Sequence, residues 1–533
     1  MRYGDCHTAF VNCAPGTSYG DIPDVDTLLS TTTKAAPSSN GSGTGPAQQP
    51  LQSHVVMASL SYVTGAHSFK AGVQQRWGWA NDLREYANAD LNQRYRNGVP
   101  FEVQTFNTPF ENIADVNADL GVFAQDTWTT RRLTLNPGLR YDYFNSSIRA
   151  QIAPAGRFVP ARSFAGIDNV PNWKDVSVRM GAAFDLFGDG RTAIKGNVGR
   201  YIQSEGPGFA ATYNPLVFGL DTRTWTDTNR DDIAQESELG PTSNTTFGVR
   251  RNQNADPNIT RPYQRVYDIG VQRELRPGMA LTVSYNKRTY HEIIWTDNLA
   301  IAPSDYILYT VPDPRADHAG QTLPVYSVGR AGDGVFGSVN ELDTNSPNNT
   351  RVYNGIDASL NVRLPKGGSL YGGTSTGRVV TQTCDVEDAN SLRFCDQTQS
   401  DVPYQTLFKV SGTYPLWYGI RVSVSYQSTP GSERTITYQV TRAQVPLMTQ
   451  SSQNIRLNEP GSSYNDRVSQ LDVNLTKNIR INNNIDVRPE LGMFNLLNSN
   501  PVLSQVNTFG PTLDRVNTIL APRLFRFGVT VRF

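Results

Sequence analysis

The chain has 533 residues, with 48 Lys and Arg against 48 Asp and Glu, so its formal net charge is zero. That balance excludes the basic excess of a nucleic-acid binder, and no nucleic-acid partner is expected. No apolar run reaches the ~18 residues of a membrane-spanning helix, which leaves membrane-spanning strands open, because these need only short alternating segments. Gly, Asn, Thr, Ser and Tyr are abundant and no stretch reads as a long helix, so the composition points to an all-β chain.

Residues 1–53 are rich in Ser, Thr, Gly and Pro and read as a loop. The start, MRYGDCHTAFVNCAPG, has no apolar stretch behind a basic residue and is not a signal peptide. Cys6 and Cys13 bracket a short polar segment, as Cys384 and Cys395 do further on. Neither pair has the CxxC spacing of a zinc knuckle, and local disulfides, Cys6 with Cys13 and Cys384 with Cys395, are expected.

From His54 onward the sequence alternates with period two. Leu133, Leu135, Leu139, Tyr141 and Tyr143 share a face, opposite Thr134, Asn136, Arg140 and Asp142. In SVRMGAAFDLFGDGRTAIKGNVGRY (177–201), Val178, Met180, Ala182 and Phe184 oppose Arg179 and Asp185, with a turn at Gly188-Asp189-Gly190. Between 205 and 260 lies a long irregular stretch containing DTNRDDIAQESE. Asp227, Asn229, Asp231, Ile233 (through its carbonyl) and Glu238 occupy positions 1, 3, 5, 7 and 12 of a calcium loop, although Asp232 stands where such loops place glycine. Ca2+ is the one cofactor this pattern suggests.

Alternation resumes at Ile269 and Val271, at Leu281, Val283 and Tyr285, and at Ile356, Ala358, Leu360 and Val362. GTSTG (373–377) has the GxSxG spacing of a nucleophile elbow, but Ser375 falls inside a predicted strand and no strand-to-helix turn surrounds it. His7, His54, His67, His291 and His318 are scattered and form no metal-binding pattern, and no enzymatic chemistry is expected. Strands follow at Ile420–Tyr426, 471–476 and 485–491, and the chain ends LFRFGVTVRF, with Phe525, Phe527, Val529, Val531 and Phe533 on one face.

Alternation alone fits both a membrane barrel and a soluble sandwich. The connections separate them: short turns, as at 65–66, 188–190 and 276–278, take turns with long polar stretches such as 149–174, 205–260, 298–348, 384–402, 430–464 and 499–519. A barrel with short periplasmic turns and long extracellular loops has this rhythm. Aromatic residues at strand ends, including Trp77, Trp79, Trp128, Tyr141, Tyr143, Tyr285 and Tyr290, match interfacial girdles. The expected fold is an all-β, antiparallel, transmembrane up-and-down β-barrel of about 15 strands over 54–533, facing outer-membrane lipid.

Two stretches carry a family resemblance. GVFAQDTWTTRRLTLNPGLRYDYF (121–144) resembles the aromatic-Gln-Asp-x-Trp hairpin of TonB-dependent outer-membrane receptors, and NVPNWKDVSVRMGAAFDLFGDGRTAIKGNVGRY (169–201) resembles the barrel of their Oar-like subgroup. The terminal Phe533 resembles the C-terminal signal of bacterial outer-membrane barrels. The resemblance implies an outer-membrane transporter or receptor that binds a ligand through external loops, is filled by a plug and is driven by the TonB complex through an N-terminal segment. Full barrels of this kind have 22 strands. No plug or TonB-interacting segment is recognised in the sequence, so the chain is expected to be the C-terminal part of the barrel, with 1–53 as an extracellular loop. Lumen-facing Arg140, Asp142, Arg179, Asp185, Arg363, Asp472 and Arg488 are candidates for plug docking or for a solvated wall. A passive porin or adhesin-like barrel and a soluble carbohydrate-binding protein are the competing readings.

Overall fold

The computed structural model describes residues 24–29, 31–33, 50–84, 91–156, 158–216, 219–242, 244, 247–248, 252–329, 335, 338–450, 452–482 and 484–533. One antiparallel sheet of 16 strands dominates it. Fifteen are long enough to label: β1 (Leu51–Thr64), β2 (His67–Arg84), β3 (Phe110–Thr130), β4 (Leu133–Ile148), β5 (Asn172–Asp185), β6 (Thr192–Ile202), β7 (Tyr263–Arg276), β8 (Met279–His291), β9 (Thr350–Leu364), β10 (Gly368–Gln382), β11 (Gln405–Pro415), β12 (Ile420–Thr429), β13 (Val468–Lys477), β14 (Asp486–Phe494) and β15 (Leu524–Arg532). The sixteenth is the two-residue Ile479–Arg480, which pairs with β14.

Neighbours in sequence are neighbours in the sheet from β1 to β15, an up-and-down meander. The connections alternate strictly. Short turns follow every odd-numbered strand up to β13, while the long connections 85–109, 149–171, 203–262, 292–349, 383–404, 430–467 and 495–523 all leave from the other end. β1 and β15 are the two edges and do not pair with each other, so the sheet is curved wall rather than closed cylinder.

Side-chain exposure along the wall is inverted relative to a soluble sheet. On β7, Tyr267, Ile269 and Val271 are exposed, while the intervening Asp268, Gly270 and Gln272 are half-buried. Val178 on β5 is 59% exposed and Val529 on β15 is 67% exposed. A contiguous apolar face of this size is a lipid-contacting surface. No helix among the described residues is long and apolar enough to cross a membrane.

The buried hydrophobic clusters lie instead at the long-loop end. One joins Val311, Leu323 and Val325 to Val440, Met448, Ile455 and Leu457. The hairpins Tyr306–Pro312 with Thr322–Val328, and Thr437–Thr441 with Ser452–Arg456, supply its two halves. A second joins Leu91, Tyr95 and Val103 to Trp225 and Ala234. A third packs Phe164, Ala210, Tyr213 and Leu216 over Ala114 and Ile148 at the tops of β3 and β4. The loops therefore form a folded canopy.

Within the segment read as a loop, 1–53, the described residues include two short strands. Asp24–Asp26 pairs with Thr31–Thr33 and, in parallel, with Leu91–Arg96, joining a five-stranded canopy sheet with Val99–Phe106 and Leu220–Thr224. Asp26 anchors it, accepting hydrogen bonds from the amides of Leu28, Leu29 and Gly98.

Candidate functional site

The inner face of the wall is polar because alternation sends every second residue away from lipid. Ion pairs and hydrogen bonds satisfy it. Arg76 pairs with Asp119 at 2.9 Å, Arg140 with Asp142 at 2.7 Å and Arg526 with Glu490 at 2.9 Å. Asn286 donates to Asp357 at 2.6 Å. Arg140 lies over Gly121, where an added Cβ would meet its guanidinium at 1.9 Å, so glycine there makes room for the Arg140–Asp142 pair.

Where β6, β7, β8 and β9 reach the canopy, Tyr201, Gln264, Tyr290 and Arg351 form one row, each the register partner of the next. With Ile293 and Ile294 they line a cleft of about 380 Å³. The Arg351 guanidinium sits 5.0 Å from the Tyr290 ring centroid, and Arg179 sits 4.4 Å from that of Tyr201. Aromatic rings, an amide and guanidinium groups together suit a polar ligand with a flat or anionic part.

The sequence-predicted residues divide among several places. Asp142 and Asp175 are register partners and both are buried, with Arg140 on the first and Arg200 on the second. Asp185 belongs to the β5–β6 turn, accepting from the amides of Gly188 and Gly190. Asp472 accepts from the Asn495 amide and the Gln470 side chain. Arg488 lines a cleft at the short-turn end with Arg480, Asp486 and Arg532, and Arg363 lies exposed at the same end. Ser375 is a mid-strand residue of β10. His54 stacks on Trp77, His67 bonds Asp126, and His291 stacks on Tyr263, so these histidines serve the wall. Cys384 and Cys395 are joined by a disulfide that closes a canopy loop. Cys6, Cys13 and His7 lie outside the described residues.

The 227–238 loop is turned in on itself. Asp227 accepts from the amides of Arg230 and Asp232, Asn229 from that of Asp231, and Asp231 from that of Ile233. Asp232 has a φ of 59°, the left-handed conformation that glycine adopts at this position of calcium loops. Glu238 is buried and engaged elsewhere: it accepts from Trp225 Nε1 and from the amide and hydroxyl of Thr228. Burial would raise its carboxyl, but the bonds from Thr228 and Trp225 outweigh this and hold it below the usual range. Among the described residues, no three His, Cys, Asp or Glu side chains stand close enough together to hold a metal ion.

Sequence reasoning did not find the Tyr201–Gln264–Tyr290–Arg351 row. Its signal is register: each residue sits near the top of its strand, and only the pairing brings them level.

A lipid-facing apolar band, a polar interior and a canopy on one end define an outer-membrane β-barrel. The chain belongs to the family described as outer membrane beta barrel domain, whose model matches residues 8–419. That places it in the outer membrane of a Gram-negative type of cell. Among solved structures, the chain is similar to the outer membrane transporter YddB from Escherichia coli, with 12% identity and a TM-score of 0.52. It is also similar to the ferric enterobactin receptor PfeA from Pseudomonas aeruginosa, in complex with enterobactin, with 11% identity and a TM-score of 0.50. In both cases 96% of this chain is covered, and it spans 58% of the length of the other. No curated protein matches the sequence.

Proposed function

We propose that this chain forms the wall and canopy of a TonB-dependent transporter or receptor of the Oar-like kind. Ligand is captured by the extracellular loops, passes the Tyr201–Arg351 cleft and crosses the outer membrane when a plug polypeptide is displaced by force from the TonB complex. The observation that carries this reading is the open wall: two edges unpaired among the described residues and a polar inner face, in a chain spanning 58% of the length of the structural neighbours YddB and PfeA. A 22-stranded barrel would leave room for about seven more strands between β15 and β1.

A photo-crosslinker at Asp357, in cells producing the chain from its own locus, tests it. Capture of a plug polypeptide supports the proposal. Failure to capture one, together with steady conductance in planar bilayers, replaces it with a passive porin.

Calcium at 227–238 is a separate proposal. The left-handed Asp232 favours it, since the loop already has the turn that glycine normally provides. Binding requires Glu238 to exchange Trp225 and Thr228 for the cation. Calorimetric titration of the full chain decides: no heat at millimolar calcium ends the idea.

A further inference from the structure

The outer face of the wall changes character where the apolar band meets the canopy. On β7 the outward residues run Val271, Ile269, Tyr267, Arg265 and Tyr263; on β8 they run Val283, Tyr285 and Lys287. The first outward charges above the band on β6, β7 and β8 are thus Arg200, Arg265 and Lys287, all cationic.

Their placement is costly without an anion. Arg200 and Arg265 are direct register partners, an arrangement in which like charges repel. Lys287 is the partner of Tyr267, which puts it diagonally beside Arg265. Both arginines gather at one ring, Arg200 at 4.1 Å and Arg265 at 5.8 Å from the Tyr263 centroid. Arg200 is balanced: β5 and β6 part above the Arg179–Gly199 pair, and it reaches through the notch to Asp175 at 2.9 Å. Arg265 and Lys287 are both exposed, and neither makes an ion pair with a described residue. The nearby Glu292 accepts a hydrogen bond from Thr260 Oγ1.

We propose that Arg265 and Lys287, set over Tyr263 and Tyr267, bind the phosphate of an outer-leaflet glycolipid headgroup. Three features select this occupant. The site is continuous with the lipid-contacting band, so the acyl chains of the same molecule would lie on Ile269 and Val283. It stands at the long-loop end, which faces outward in bacterial barrels. Its charge complements a phosphate, which basic residues at a bilayer surface attract. The tyrosines serve as the interfacial girdle that fixes the depth of the headgroup.

The test uses the full chain in nanodiscs and diphosphoryl lipid A as the probe, with a phosphate-free lipid of the same acyl composition and inorganic phosphate as further arms. Arg265→Gln is expected to weaken lipid A binding about 5-fold, and Arg265→Gln with Lys287→Gln about 25-fold. Arg265→Lys keeps binding within about twofold, and so does Arg273→Gln, at the short-turn end of the same strand. Inorganic phosphate does not compete. Equal binding by the double variant and the unaltered chain overturns the proposal. So does equal binding of the phosphate-free lipid, a loss with Arg273→Gln as large as that with Arg265→Gln, or competition by inorganic phosphate. Far-ultraviolet circular dichroism confirms that each variant retains its sheet.

Discussion

Val271 on β7 and Val283 on β8 are register partners, and both side chains project from the outer face, 44% and 41% exposed. One residue along, Gln272 and Thr282 are also partners and face the interior. Val283→Arg is therefore expected to cost about 2–4 kcal/mol in vesicles, because it places a charge near the bilayer midplane. Thr282→Arg, aimed at the aqueous side, should cost under about 1 kcal/mol. Equilibrium urea unfolding in phosphocholine vesicles measures both. Equal costs would refute the assignment of faces.

The Cys384–Cys395 disulfide closes a canopy loop of sequence separation 11 between β10 and β11. Replacing both cysteines by Ser should destabilise that loop by about 2–3 kcal/mol. Hydrogen exchange should quicken across 383–404 and stay unchanged in β7 and β8. Faster exchange in the wall would show that the canopy supports the barrel more than the packing suggests.

Asp313 and Arg315 form a bidentate pair, and Arg315 also donates to the carbonyl of Leu457, tying two loops together. The hydrogen-bonded Arg315 guanidinium holds the Asp313 carboxyl down at about 2. A depressed carboxyl contributes stability above its ordinary value, and that contribution is lost as pH falls from about 4 through about 2. Exchange in the Tyr306–Pro312 hairpin should accelerate over that window. Arg315→Gln removes the cause of the depression, so exchange should already be faster at neutral pH and should accelerate less between about pH 4 and 2; an unchanged acceleration would disconnect the pair from loop stability.

Glu238 links Trp225 to the 227–238 turn. Glu238→Ala leaves a buried indole N–H and the Thr228 donors without their acceptor, at a local cost of about 1–3 kcal/mol. Iodide should then quench Trp225 emission more readily, measured against a Trp225→Phe background. Unchanged quenching would mean that the second hydrophobic cluster holds the indole unaided.

Much of the wall was legible because lipid makes a simple demand. Within the lipid-facing band every second residue of β7, β8 and β9 must be apolar, and Ile269, Val283 and Ile356 obey it without needing a particular neighbour. The canopy was opaque for the converse reason. Val311 and Leu323 look like any short apolar run until Val440 and Ile455 arrive from another loop, and Leu91–Arg96, too polar at Asn92, Gln93 and Arg94 to show a strand pattern, pairs outside the barrel. Asp185 shows the same limit at one residue. Alternation assigns it to the lumen, but two glycine amides in its own turn bind it first.

The cluster joining Val311 and Leu323 to Val440 and Ile455 also dictates an order of assembly. Its halves are separated by β9 to β12, so they meet only after those four strands have registered. The wall thus acts as the jig that brings the two halves of the cap together, because the contact between them is long-range in the chain.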